Sequence, residues 1–187
     1  VTFDEEKGTF AGMPKDWQNA MSKQFGVSPR QLPGVKLPNY TAKIPKVLVT
    51  LKERLVTANG YQQTGVFRLQ PDARDSNTVK SALDSGTFKP TDLPLDANIY
   101  ANLIKVWFRE LPEPLLHSIT FQQLEMASTE QDVAKIIAQL DDPWKSLFLW
   151  LCDICVECAT YCNVNKMDHK KIQMQGQIID NTFLFAC

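Results

Sequence analysis

Lys105-Val106-Trp107-Phe108-Arg109-Glu110-Leu111-Pro112-Glu113-Pro114-Leu115-Leu116 is the stretch that decides how this chain folds. Its first half continues an apolar rhythm that begins upstream at Ile99 and Leu103 and runs on through Val106 and Trp107, the spacing of one helix face. Asp96 stands just ahead, and its carboxylate suits the amides of a first turn, so the spacing predicts a helix from Ala97 to about Phe108. Pro112 and Pro114 cannot continue a helix without losing donors and clashing, which puts its end near Glu110. Lys105 and Arg109 lie four residues apart and share a face. Like charges placed so cost ~0.2–0.5 kcal/mol in isolation. Something anionic or rich in carbonyls is therefore expected opposite them, unless Glu110 or Glu113 neutralises the pair as an ordinary surface cluster.

Working back along the chain, Gly65-Val66-Phe67-Arg68 is the second informative segment. A glycine permits tight backbone passage, Val66 and Phe67 can anchor a loop apolarly, and Arg68 is left to project. By itself such a tetrapeptide says little, since a surface arginine would read the same way. Ahead of it, Pro45 opens a predicted helix carrying Val47, Leu48, Leu51 and Leu55, closed by Asn59-Gly60. Between the two key segments a helix is expected from about Asp75 to Leu83, stopped at Ser85-Gly86.

Beyond Leu116, two short helical patterns cover 121–127 and 130–140, and Pro143 begins a last clear helix reaching about Cys162. That helix holds Cys152, Cys155, Cys158 and Cys162, the spacing of a bacterial iron–sulfur run. Here no proline follows the fourth cysteine and there is no second run. At ~100° per residue the four fall within roughly 120°, continuing the stripe of Leu147, Phe148 and Leu151, with Asp153, Glu157 and Thr160 opposite. The expectation is a core helix that uses Cys as a small apolar residue, and no metal site. His117 and His169 accompany no recognisable nucleophile and read as surface or capping residues.

Residues 22–43, with Pro29, Pro33, Gly34 and Pro38, read as linker and lead-in. Residues 1–21 form a separate unit: Phe3 and Phe10 flank Glu5-Glu6-Lys7-Gly8, a turn between two short extended pieces, and Pro14 fits the start of a short helix with Trp17 and Met21 on one side. No strand alternation is long enough to suggest a sheet, and no repeat of 20–50 residues is present. The predicted class is all-α.

Composition narrows the function. Lys plus Arg number 20 against 21 for Asp plus Glu, a net charge of −1, so the basic excess of a nucleic-acid binder is missing. Apolar residues make up 44%, enough for a core. The longest apolar stretch, Leu147 to Cys162, is interrupted by Asp153 and Glu157 and falls short of a membrane span of ~20 residues. No secretory pattern opens the chain. Five cysteines, four of them crowded together, do not read as a secreted disulfide framework, so a cytoplasmic protein with reduced thiols is expected. No Gly-x-x-x-x-Gly-Lys-Ser/Thr loop is present for the chain to bind GTP itself, and no cofactor is implied.

The two key segments together closely resemble the signature segments of the Rho GTPase-activating (RhoGAP) domain, strongly from Ile44 to Leu116 and more loosely over about 25–170. The resemblance implies a RhoGAP-like helical bundle over 44–187 that supplies Arg68 as a finger in trans to a Rho/Rac-class small GTPase in its GTP form. It implies that Lys105 faces the GTPase, that Arg109 braces the finger loop, and that Gly65, Pro112 and Pro114 shape the loops. Residues 1–21 resemble the C-terminal half of a CRIB-type motif, which binds the same class of partner. Asn165-Lys166-Met167 matches a family segment. After it the family reads Asn-Leu-Ala-x-Val-Phe-Gly-Pro-Asn, where this chain has Lys171 to Ile179 and no asparagine at the matching spacing; only Asn181 stands nearby as a substitute. Pro71 stands where the family often has glycine. The family's last helices have no counterpart before Cys187, so a C-terminally shortened bundle is expected, with 176–187 covering the exposed core face or mediating self-association. A non-catalytic or weakly active GTPase-binding scaffold of the same fold is the alternative reading.

Overall fold

A helix that is apolar over most of its surface must be surrounded by others, and the helix before the double proline is such a helix. The computed structural model describes residues 2–4, 9–11 and 23–168. Strands β1 (Thr2–Asp4) and β2 (Thr9–Ala11) pair antiparallel, with Phe3 opposite Phe10. Strands β3 (Gly34–Val35) and β4 (Ile44–Pro45) form a second two-stranded pair. The helices are α1 (Lys46–Thr57), α2 (Ala73–Asp84), α3 (Ala97–Arg109), α4 (Phe121–Met126), α5 (Glu130–Ala138), α6 (Trp144–Thr160) and α7 (Cys162–Asn165).

In α3 the buried residues run round most of the circumference, Ile99, Tyr100, Leu103, Ile104, Val106, Trp107 and Phe108 among them, leaving only the side of Asn98, Asn102 and Arg109 partly open. Each such side chain fully removed from water contributes about 1.5–3 kcal/mol. Helix α1 packs along one flank of α3 through Val47, Leu48, Leu51 and Leu55, and α2 packs along another. Asp96 accepts from the Asn98 amide at 2.9 Å and starts α3; Glu110 closes it, and Pro112 and Pro114 follow in exposed turns. The lead-in is fastened to the same helix: Phe25 is wholly buried, Trp107 Nε1 donates to the Gln24 carbonyl, and the amides of Gln24 and Phe25 both donate to Asp84 Oδ1.

Several expectations are corrected by local chemistry. Helix α2 begins at Ala73, two residues before Asp75, because Asp72 captures the amides of Arg74 and Asp75 and caps it. β1 and β2 are the two short extended pieces expected around Phe3 and Phe10, whereas the β3–β4 pair was not expected, since two-residue strands are too brief to leave an alternation. Asn59 does take the left-handed conformation (φ 51°), whereas Gly60 answers a different need: a Cβ there would lie 2.3 Å from Leu55 Cδ1 and 2.8 Å from the Leu55 carbonyl oxygen. The last helix breaks at Tyr161, and α7 adds one more turn before Lys166 reverses the chain at φ 62°.

The cysteine stripe also sits differently from the expectation. The buried line of α6 is Leu147, Leu151, Ile154 and Cys158, spaced i, i+4, i+7, i+11, while Cys152 and Cys155 ride its half-buried flank and Cys162, also half-buried, opens α7. Among the described residues no group of three His, Cys, Asp or Glu side chains is placed to hold a metal ion. No helix of the described residues is long and apolar enough to cross a membrane. The short helix expected at Pro14–Met21, His169, Asn181 and the segment 176–187 lie outside the described residues.

Burial pushes the Cys158 thiol up to about 11, against a modest pull from Asn165. At pH 8 it should therefore alkylate more slowly with iodoacetamide than the half-buried Cys162. Mass-spectrometric mapping of the labelled peptides checks this; equal rates would contradict the burial.

Candidate functional site

Residues 65–69 make a tight loop whose shape is imposed from three sides. Gly65 (φ 77°) and Phe67 (φ 66°) both adopt the left-handed conformation. Glycine does so without strain, but a bulky aromatic residue there costs about 1–3 kcal/mol and persists only where its surroundings hold it. Within the loop, the amides of Arg68 and Leu69 both donate to the Gly65 carbonyl at 2.9 Å, and the Val66 amide donates to the Gln63 carbonyl. Val66 is fully buried and Phe67 packs partly against the core, so both anchors grip as their sequence suggested.

From below, the loop is held by a charge. Lys105 is 3% exposed, and its Nζ donates to the Phe67 carbonyl at 2.5 Å. A charge-assisted bond of this kind contributes roughly 1.5–3 kcal/mol. Removal from water, and secondarily the neighbouring Arg109, hold the Lys105 ammonium below the ordinary lysine range. The carbonyl-rich partner expected opposite this pair is thus the backbone of Phe67. The contact with the loop is made by Lys105; Arg109 lies exposed at the end of α3 and makes no hydrogen bond or ion pair among the described residues. Of the two cations expected to face the GTPase or support the finger, Lys105 is the one that touches the loop. Nor does Glu110 neutralise the pair, because both its oxygens accept from Lys80, at 2.6 and 2.8 Å.

From the side, the loop is tied to the end of the last helix by a residue whose role the sequence did not announce. The Asn165 carbonyl accepts from the Gly65 amide at 2.8 Å. Its side chain, wholly buried, donates to the carbonyls of Tyr61 and Cys158 at 2.8 Å each and accepts from the Met167 amide at 2.7 Å. One asparagine thereby joins the turn before the loop, α6 and the chain after α7. The available signal was a polar residue just past a long apolar helix, ahead of a lysine forced into positive φ.

Arg68 is the exposed cation of this frame, its guanidinium lying over the loop with Nη2 3.5 Å from where a Cβ on Gly65 would sit. Its side chain has no hydrogen-bond or ionic partner among the described residues. Beside it lies a cavity of about 240 Å³ between α2 and α3, rimmed by Gln70, Asn77, Asn102 and Arg109 and shaped on one side by the half-buried Pro71. The arrangement can present an exposed cation, carried on a backbone held at Gly65 and Phe67, to an external anion.

The family model of the RhoGAP domain matches residues 45–175. Rho GTPase-activating protein gacA of Dictyostelium discoideum is 32% identical over 143 residues, 76% of this chain and 41% of the relative. Rho GTPase-activating protein 5 of Arabidopsis thaliana is 28% identical over 182 residues, 93% of this chain and 54% of the relative. The chain thus spans about half the length of these relatives. The crystal structure of human Rho GTPase activating protein 15 superposes with a TM-score of 0.70 at 17% identity, over 90% of this chain and 84% of the other, a likeness of fold.

Two variants test the frame. Lys105→Met leaves the Phe67 carbonyl without its donor, so the loop loses its tether and stability should fall by about 1–3 kcal/mol. Because the fold lowers this group's proton affinity, it is the charged form that costs stability. The wild type should therefore gain stability as pH rises towards ~10.4, where the unfolded lysine also deprotonates, so the deficit of the variant is smallest at neutral pH and widens above it. Denaturant melts at several pH values read this out. Asn165→Leu strands two carbonyls and an amide in the core and should lose about 2–4 kcal/mol, measured by urea unfolding.

Proposed function

Because this chain belongs to the RhoGAP domain family, we propose that it raises GTP hydrolysis by a Rho/Rac-class small GTPase in its GTP form, inserting Arg68 as a finger in trans. The observation that carries the reading is an unpartnered, exposed guanidinium on a loop held by Lys105 and Asn165. Phosphoryl transfer spreads charge over the oxygens of the moving group and asks for a fixed cation rather than covalent chemistry. An arginine finger is worth roughly 10³–10⁵ in rate. Arginine suits the task through its planar, permanently charged fork. With the loop ordered before the encounter, its conformational entropy is lost on folding and not on binding.

Lys105 acts here as a positioning residue, buried under the loop. The likeness of residues 1–21 to the tail of a CRIB-type motif supports the same class of partner. The soluble thiols and balanced charge of the sequence favour action in the cytoplasm. A second reading, a GTPase-binding scaffold with little or no stimulation, is favoured by one observation: Lys171 to Ile179 stand where the family carries its asparagine.

Single-turnover hydrolysis by GTP-loaded GTPases of the Rho class, with and without this chain, separates the two. Stimulation that falls about 10³-fold or more in Arg68→Ala supports the finger, and unchanged stimulation rejects it. Binding to the GTP form with no rate enhancement selects the scaffold.

A further inference from the structure

We infer that the groove between α1 and α6 is the docking site of the chain's own segment Lys170-Lys171-Ile172-Gln173-Met174, which follows the last described residue. The groove encloses about 770 Å³, more than one side chain fills. Val49 and Val56 of α1 line one side, Trp150 and Val156 of α6 line another, and the lead-in from Leu37 to Tyr40 closes a third. Val56 is 50% and Val156 60% exposed, the barest apolar side chains of their two helices. Paired on one groove, they ask for an apolar cover.

The charge of the lining specifies what that cover carries. Lys52 stands against three carboxylates, Glu53, Asp153 and Glu157. Its ammonium is taken up by Glu157 at 2.7 Å. Asp153 accepts only from the neutral hydroxyl of Tyr40, and Glu53 has no ion pair among the described residues. Lys36, the cation of the adjoining lead-in, is held by the carbonyls of Tyr40 and Thr41. The lining thus keeps an excess of negative charge.

The course of the chain brings the complement to this place. Helices α1 and α6 run the same way, since Tyr40, Lys52 and Tyr61 meet Asp153, Glu157 and Tyr161 in that order. Just past their ends Asn165 Nδ2 donates to the Tyr61 carbonyl, and Met167 is wholly buried. The chain therefore leaves α7 at the end of the groove. From Thr57 back to Val49 the groove follows α1 for about 12 Å, which about four extended residues can span. Within that reach Lys170 and Lys171 supply the cations, and Ile172 and Met174 the apolar surface. The later run Phe183-Leu184-Phe185 brings no cation. Such docking needs no GTPase and holds whether or not Arg68 is a finger.

Hydrogen exchange of the whole chain, read by mass spectrometry, tests this. Residues 170–174 should exchange at least about tenfold more slowly than the same sequence in a free peptide. Val156→Lys, an exposed change that leaves the core intact, should abolish that protection. Glu53→Lys should reduce it, and Lys171→Glu added to Glu53→Lys should restore it. The inference is overturned if 170–174 exchange at the free-peptide rate, if Val156→Lys changes nothing, or if the double variant recovers nothing. Protection that grows with protein concentration also overturns it, by placing a second copy in the groove.

Discussion

One ammonium group sets the geometry of this molecule's working surface. Phe67 sits in a backbone conformation that its side chain disfavours, and the carbonyl this conformation turns inward is met by Lys105 from the centre of the core. Without a donor at that point, a buried carbonyl would go unpaired and the left-handed residue would relax. With it, Val66 goes into the core and Arg68 goes out to solvent, on adjacent residues. The lysine is itself uncomfortable, a desolvated charge beside another cation. Stability is given up locally so that a surface side chain has a defined place, a trade that recurs wherever function needs a fixed constellation.

The second hold on the loop comes from the opposite end of the chain. Asn165 satisfies three buried backbone groups with one amide side chain and offers its own carbonyl to Gly65. Helices α3, α6 and α7 therefore share responsibility for five residues. None of them carries the loop in its own sequence, and the loop does not stand on its local hydrogen bonds alone.

The core helix α3, its caps and the double-proline exit were legible in the sequence because periodicity, an Asp before the first turn and the exclusion of proline from helix interiors are local rules. The loop at 65–68 was legible as a place, through its glycine and its apolar anchors. Its supports were not. Lys105 against Arg109 is a choice between two cations four residues apart, decided by which of them the neighbouring backbone reaches, and sequence spacing treats them alike. Asn165 acts across about a hundred residues, a separation over which no local pattern speaks. The cysteines show the reverse case: an angular arc placed all four together, while packing buried Cys158 and left its neighbours on the flank, since depth depends on what lies opposite.

The bonds that close the 65–69 turn onto Gly65, with Asn165 fixed at Gly65 and Lys105 at Phe67 in its middle, make the loop a ruler of set length. An inserted residue would lengthen the path by as much as ~3.3–3.6 Å with nowhere to absorb it. Misplacement of a reacting or assisting group by ~1 Å can already cost about a hundredfold. Substitutions at the tip can thus be graded, whereas changes in residue count cannot. In a lineage of such chains the spacing from Gly65 to Arg68 is the quantity that drift is least able to touch, even where the composition around it turns over freely.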